Sequence, residues 1–189
     1  MEHYRIFIAI PINTEIRESC QMFIQNLNNS GIKWIKEENW HITTLFIGNF
    51  PVEKIEMFVS ALSNEISAFP VFELEFEKFT LFPYKHPSMI WAKFHDNNQF
   101  EQFVNKTEKI AKEFIVKNSL NIQLKTNKKA IPHITLSRLK TKGASLENVD
   151  STVQKPVFLK VKTIRLMKSE LLSEGAEYSV LHDFSLSGK

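Results

Sequence analysis

Two short segments repeat the same chemistry-bearing residues. His41-Ile42-Thr43 and His133-Ile134-Thr135 stand 92 residues apart, about half of the 189-residue chain. Each lies in a β-branched stretch, and in a strand alternate side chains share a face. Each His–Thr pair therefore points one way, about 6.5–7 Å apart along the strand. If the two halves are related by a pseudo-twofold axis, two imidazoles and two hydroxyls converge on one cleft. Opening a phosphodiester needs a base to take a proton from the nucleophile and an acid to protonate the leaving oxygen. Histidine serves either role near neutral pH, and threonine hydroxyls can hydrogen-bond the non-bridging phosphate oxygens. Acid, base and donors would all be side chains, so the scheme requires no metal and no cofactor.

The elements that must position these residues follow from apolar spacing. Tyr4 to Ile10 reads as a buried strand stopped by Pro11. From Asn13 or Thr14, the positions Ile16, Cys20, Phe23, Ile24 and Leu27 mark an amphipathic helix, ended near Gly31. A short strand near Ile32–Ile35 and the strand from His41 to Ile47 follow. Pro51 fits the first position of a second helix through Ile66. In Val71 to Phe82 the apolar parity changes near Glu77–Lys78, which predicts a β-bulge. Ser88 to Phe94 is a returning strand. Asn98 with Glu101 suggests a capping box opening a third, long helix. Ile131 to Leu139, then Val157 to Leu166 with a second bulge near Lys162, and a hairpin closing through Gly175 to Leu186 complete the strands. Three helices with about eight largely hairpin-joined strands indicate an α+β fold with antiparallel sheet.

Composition narrows the classes. The chain is 43% hydrophobic and 24% charged, near globular averages, which excludes collagen-like, disordered and coiled-coil readings. One cysteine, Cys20, excludes a disulfide framework and a multi-cysteine metal cage. No stretch approaches a membrane span, and the N-terminus does not read as a signal peptide, so a soluble cytoplasmic protein is expected. Residues 1–94 carry 8 Lys/Arg against 11 Asp/Glu, whereas residues 95–189 carry 16 against 10. The basic excess gathers at Lys125, Lys128, Lys129, Arg138, Lys140 and Lys142, and again at Lys155, Lys160, Lys162, Arg165 and Lys168. It suits an anionic partner such as a nucleic acid or a phosphate ester, although on charge alone a solvated lysine-rich surface is the simpler reading.

With these blocks in order, the chain resembles a known family. Arg5-Ile-Phe-Ile-Ala9, Lys33-Trp34-Ile35, Glu38 to Thr43, Phe82-Pro83, Pro87, Ile90-Trp91, Pro132 to Lys140, and Leu166 to Ser169 with Gly175 and Tyr178 carry the likeness. They are similar to the two-histidine (2H) phosphoesterases, in particular the RNA 2′,3′-cyclic phosphodiesterases, also called 2′-5′ RNA ligases or LigT-like proteins. Trp40 and Thr44 stand where leucines are expected, and Ser137 where alanine is usual. The resemblance implies a single bilobal domain over residues 1–189. Its two pseudo-twofold-related lobes would each carry an antiparallel sheet and flanking helices, with the active-site cleft between them. It also implies a monomer that hydrolyses RNA 2′,3′-cyclic phosphate ends to 2′-phosphomonoesters. His41 would be the general acid, His133 the general base, and Thr43, Thr135 and Arg138 the phosphate ligands. With a 5′-hydroxyl as nucleophile the same site would form a 2′-5′ linkage. Strict alternation puts Arg138 on the face opposite His133, so its place in the cleft requires a bulge, a twist or the end of the strand. Alternatives are a 2H phosphodiesterase acting on 2′-5′ oligoadenylate or another nucleotide, and a non-catalytic RNA-binding module. His3 and His95 lie near strand ends with no partner motif, His86 sits in a turn-like segment at the cleft rim or in solvent, and His182 alternates with Tyr178, Val180 and Phe184 as a core or cleft histidine.

Overall fold

The computed structural model describes residues 2–27, 32–124, 129–139, 149–152, 155–173 and 175–188. Strand β1 (His3–Pro11) leads into helix α1 (Thr14–Asn26), capped by the Asn13 side chain, which accepts from Ile16 N–H at 3.1 Å. The α1 stop expected at Gly31 lies outside the described residues. The strand expected near Ile32–Ile35 reduces to one bridge, Trp34 with Ser137. Strand β2 (His41–Pro51) runs as far as Pro51, the expected helix start. Pro51 has extended φ and ψ and pairs with His3, and a 3₁₀ turn (Val52–Lys54) precedes α2 (Ile55–Ser67). Next come β3 (Phe72–Phe82), β4 (Met89–Phe94) and α3 (Asn98–Lys117). The cap of α3 is Asn97 rather than Asn98: its side chain accepts from Phe100 N–H at 2.9 Å. The chain closes with β5 (His133–Arg138), β6 (Ser151–Thr152), β7 (Phe158–Val161), β8 (Thr163–Leu172) and β9 (Gly175–Ser185).

The fold is α+β with a curled antiparallel sheet. Strand order is β6-β3-β4-β5-β2-β1-β8-β9, with β7 also paired to β3. The order is symmetric about its middle. The unit β1-α1-β2 on one side matches β4-α3-β5 on the other, and β8 flanks β1 as β3 flanks β4. The halves are joined where β2 and β5 share a single paired position, Ile42 with Ile134. Those are the central residues of the two repeated tripeptides. The expected pair of sheets is therefore one continuous sheet with a narrow waist.

Each half also lends its helix to the other. Phe23 of α1 stacks on Phe79 of β3 with ring centroids 3.9 Å apart, and Phe114 of α3 meets Phe50 of β2 at 6.0 Å. Phe50, Phe58 and Phe114 form one cluster, and Phe50 and Phe58 are fully buried. Such shared aromatic burial ties the halves together. Cys20 sits in this interior, and burial pushes its thiol up to about 12, which leaves it inert.

Two features of the sheet bear on the site. The bulge expected at Glu77–Lys78 is present as a register shift between Phe76 and Lys78. The change of parity near Lys162 is not a bulge. It is a switch of partners: β7 pairs with β3 and β8 with β1, so the chain crosses between halves at that residue.

Candidate active site

Both tripeptides open their strands at the waist. In the antiparallel register set by Ile42 and Ile134, His41 lies level with Thr135, and Thr43 level with His133. Ile42 and Ile134 are fully buried, while the histidines and threonines turn the other way, half-exposed. They line a cavity of about 350 Å³, together with Arg5, Asn39, Phe46, Arg138, Leu171 and Tyr178 among others. A larger groove, about 640 Å³, lies between α2 and α3 and holds none of these residues.

The backbone orients both imidazoles alike. His41 Nδ1 lies 2.8 Å from the Asn39 carbonyl, and His133 Nδ1 lies 2.7 Å from the Ile131 carbonyl. A carbonyl only accepts, so Nδ1 carries the proton in each ring and donates it there. Nε2 is thereby left as the titrating nitrogen. His41 Nε2 accepts from the Thr43 hydroxyl at 3.0 Å. The carbonyl that holds His41 is itself braced, because the Asn39 amide donates to the Ala176 carbonyl at 2.8 Å.

Burial pushes the His41 imidazole down to about 4. The Asn39 carbonyl works against that shift, and the neighbouring His133 adds to it. Burial likewise lowers His133, against the Ile131 carbonyl and with the Arg138 guanidinium. Both rings are therefore neutral at neutral pH. An anion in the cavity would reverse that balance.

Arg138 joins the site through a bulge. Ile90 pairs with Ser137 and Trp91 with Thr135, so Leu136 has no register partner in β4 and the parity of β5 changes there. Leu136 and Ser137 are consecutive buried residues, and Arg138 emerges on the histidine face. Strand β2 does the same. Ile8 pairs with Leu45 and Ala9 with Thr43, leaving Thr44 extra and bringing Phe46 to the face that Arg138 occupies in β5. The buried hydroxyls at these bulges are satisfied by carbonyls: Thr44 by Ile8 at 3.1 Å, Ser137 by Lys33 at 2.9 Å. Trp40 likewise donates its indole N–H to Ile35 O at 3.0 Å. The three departures noted in the sequence thus each support the strands that carry the site.

Sequence reasoning passed over several lining residues. Tyr178 meets the His41 ring edge-on at 5.3 Å, and Phe7 lies 4.9 Å from it. The Arg5 guanidinium sits 4.8 Å over the Phe46 ring, which brings a second cation to the cavity. His3, His86, His95 and His182 do not line the cavity. Of the basic cluster, Lys125, Lys128, Lys140 and Lys142 lie outside the described residues. Lys129 pairs with Asp96, Arg165 with Asp183 and Lys168 with Glu170. Among the described residues no three His, Cys, Asp or Glu side chains gather where they could hold a metal ion. No described helix is long and apolar enough to cross a membrane.

Comparison with known proteins gives likenesses in both sequence and fold. The model described as LigT-like phosphoesterase matches residues 8–91. The chain carries a LigT-like phosphoesterase domain. The likeness to relatives extends beyond that match. The RNA 2′,3′-cyclic phosphodiesterase of Thermotoga maritima is 27% identical, covering 97% of this chain and 96% of its own. The protein of the same name from Archaeoglobus fulgidus is 28% identical over 95% of this chain and 99% of its own. Among solved structures, a Thermus thermophilus chain superposes with a TM-score of 0.83 at 24% identity, covering 98% of this chain and 99% of that one. E. coli LigT in complex with 3′-AMP gives 0.79 at 20%, with the same coverage. The LigT-like domain is thus an enzyme of the phosphoesterase class with the fold of those structures.

Proposed function

We propose that this phosphoesterase opens RNA 2′,3′-cyclic phosphate ends, leaving a 2′-phosphomonoester, by acid–base catalysis between His133 and His41. The single observation behind this reading is the matched pair of imidazoles. Each is pinned at Nδ1 by the carbonyl two residues before it, and both line one cavity with Arg138. The relatives' shared name supplies the substrate class.

The chemistry then runs as follows. His133 Nε2 takes a proton from water as the water oxygen bonds to phosphorus. Charge builds on the non-bridging oxygens, where the Thr43 and Thr135 hydroxyls and the Arg138 guanidinium donate hydrogen bonds. The bond from phosphorus to O3′ breaks, and the proton on His41 Nε2 passes to that oxygen. His41 therefore reacts in its protonated form, which the phosphate anion favours once bound. A 5′-hydroxyl in place of water gives a 2′-5′ linkage by the same steps. The whole of residues 1–189 acts as one domain in this scheme, since each half contributes one histidine and one threonine.

Turnover of cyclic-phosphate-ended RNA by His41→Gln and His133→Gln tests the assignment. Each is expected to lose roughly 10²–10⁴-fold in kcat with an unchanged fold. Wild-type rates in either variant would overturn it.

A further inference from the structure

The two matched imidazoles differ in what lies behind them. Trp91 of β4 stacks on the His133 ring with centroids 3.6 Å apart and planes 19° apart. Its other face covers Phe82 of β3 at 3.6 Å and 13°. Across the pseudo-twofold, the residue paired with Thr43 is Ala9, where the residue paired with Thr135 is Trp91. His41 has no indole against it. Its ring neighbours are Phe7, tilted by 31°, and the edge of Tyr178 at 82°.

The indole stays in this slot at a cost. Trp91 is 5% exposed, and its buried Nε1–H has no hydrogen-bond partner among the described residues. An orphaned buried donor is destabilising, and a phenyl ring would occupy the stack without one. What the indole supplies beyond phenyl is a larger, more electron-rich face. That face attracts an imidazolium more than a neutral imidazole.

We propose that Trp91 is a positioning residue that makes His133 the proton acceptor of the pair, holding its ring plane and stabilising the imidazolium that forms when it takes the proton of water. This rests on the acid–base reading above and explains why a near-symmetric site works in one direction. The charged groups around His133 do not supply the same bias. Arg138 on its own strand and a protonated His41 on β2 both oppose a positive His133. Lys93, level with His133 on β4, is ion-paired with Glu77 of β3, and Arg5 of β1 adds further positive charge to the cavity.

NMR titration of the His133 and His41 rings, with pH–rate profiles, in wild type, Trp91→Phe and Trp91→Leu tests the proposal. Leucine keeps the slot apolar and removes the π face. In Trp91→Leu, His133 should titrate about one unit lower, with His41 unmoved. kcat should fall about tenfold with KM little changed, and Trp91→Phe should recover most of it. Unchanged His133 titration in Trp91→Leu overturns the proposal, including when kcat falls, since that marks a merely structural role. If the leucine variant does not fold, Trp91→Phe carries the test. His133 must then titrate below wild type, and an identical titration overturns the proposal. The titration needs no substrate, so a wild-type enzyme inactive on cyclic phosphates would sink the acid–base reading separately.

Discussion

The Nε2 of His41 and the hydroxyl of Thr43 lie 3.0 Å apart on one face of β2, two residues from each other in sequence. Here the hydroxyl donates to the ring. With substrate bound, the proton on Nε2 belongs to the leaving oxygen and the hydroxyl is free to turn to phosphate. Thr43→Val removes that donor without changing side-chain shape. It should lower kcat by about 10²-fold, and Thr43→Ser should restore most of the loss. Steady-state kinetics on a cyclic-phosphate substrate checks both.

Arg138 should act chiefly on binding. It is exposed, and the protein atom its guanidinium approaches is Met89 Sδ at 3.5 Å, a weak acceptor that leaves it available to an anion. Arg138→Ala is expected to raise the Kd for inorganic phosphate and the substrate KM by roughly tenfold or more, since a charge-assisted hydrogen bond is worth about 1.5–3 kcal/mol. Arg138→Lys should recover part of the loss, because it keeps the charge without the two-pronged donor. Isothermal titration with phosphate measures the effect.

His41 makes stability depend on pH with a definite sign. Its native pKa of about 4 lies below the ordinary value of 6.5. Between those values the unfolded chain binds more protons, so stability falls as pH drops from 6.5 toward 4 and levels off below it. Burial lowers His133 as well, which adds to the loss below pH 6.5. Thermal melts at successive pH values should show a shallower loss in His41→Gln than in wild type. Phosphate should raise the His41 titration midpoint, and calorimetry in buffers of different ionisation heat should detect proton uptake on binding.

How far the sequence reached depended on which physical signal was local. The pairing of His41 with Thr43 and of His133 with Thr135 needs only the two-residue period of a strand, and it was legible. So was the bulge at Glu77, because phenylalanines and leucines on both sides advertise the change of parity. The bulges at Thr44 and Leu136 were hidden. Each buries a hydroxyl-bearing residue, Thr44 or Ser137, that reads as polar, while a carbonyl elsewhere in the fold satisfies it. Alternation alone therefore sets Arg138 on the face opposite His133. The stack of Trp91 on His133 depends on the register of β4 against β5, which no local pattern encodes. Lys162 likewise read as a bulge because the change of partner strand leaves the same parity mark.

Chelation should have no effect. The donors in the cavity include two imidazoles, the Thr43 and Thr135 hydroxyls and the guanidiniums of Arg138 and Arg5, which can balance a phosphate's charge without a divalent ion. Turnover after prolonged EDTA treatment and gel filtration is expected to equal the untreated rate. Loss of activity restored by a divalent cation would sink the metal-free scheme.

Product identity tests the central claim most directly. A short RNA ending in a 2′,3′-cyclic phosphate is incubated with the enzyme in ¹⁸O-water, and the product is read by phosphorus NMR and mass spectrometry. The account predicts a single 2′-phosphomonoester carrying one solvent oxygen on phosphorus. A 3′-phosphate, a mixture of isomers, or an intact cyclic phosphate in the presence of folded enzyme would contradict it.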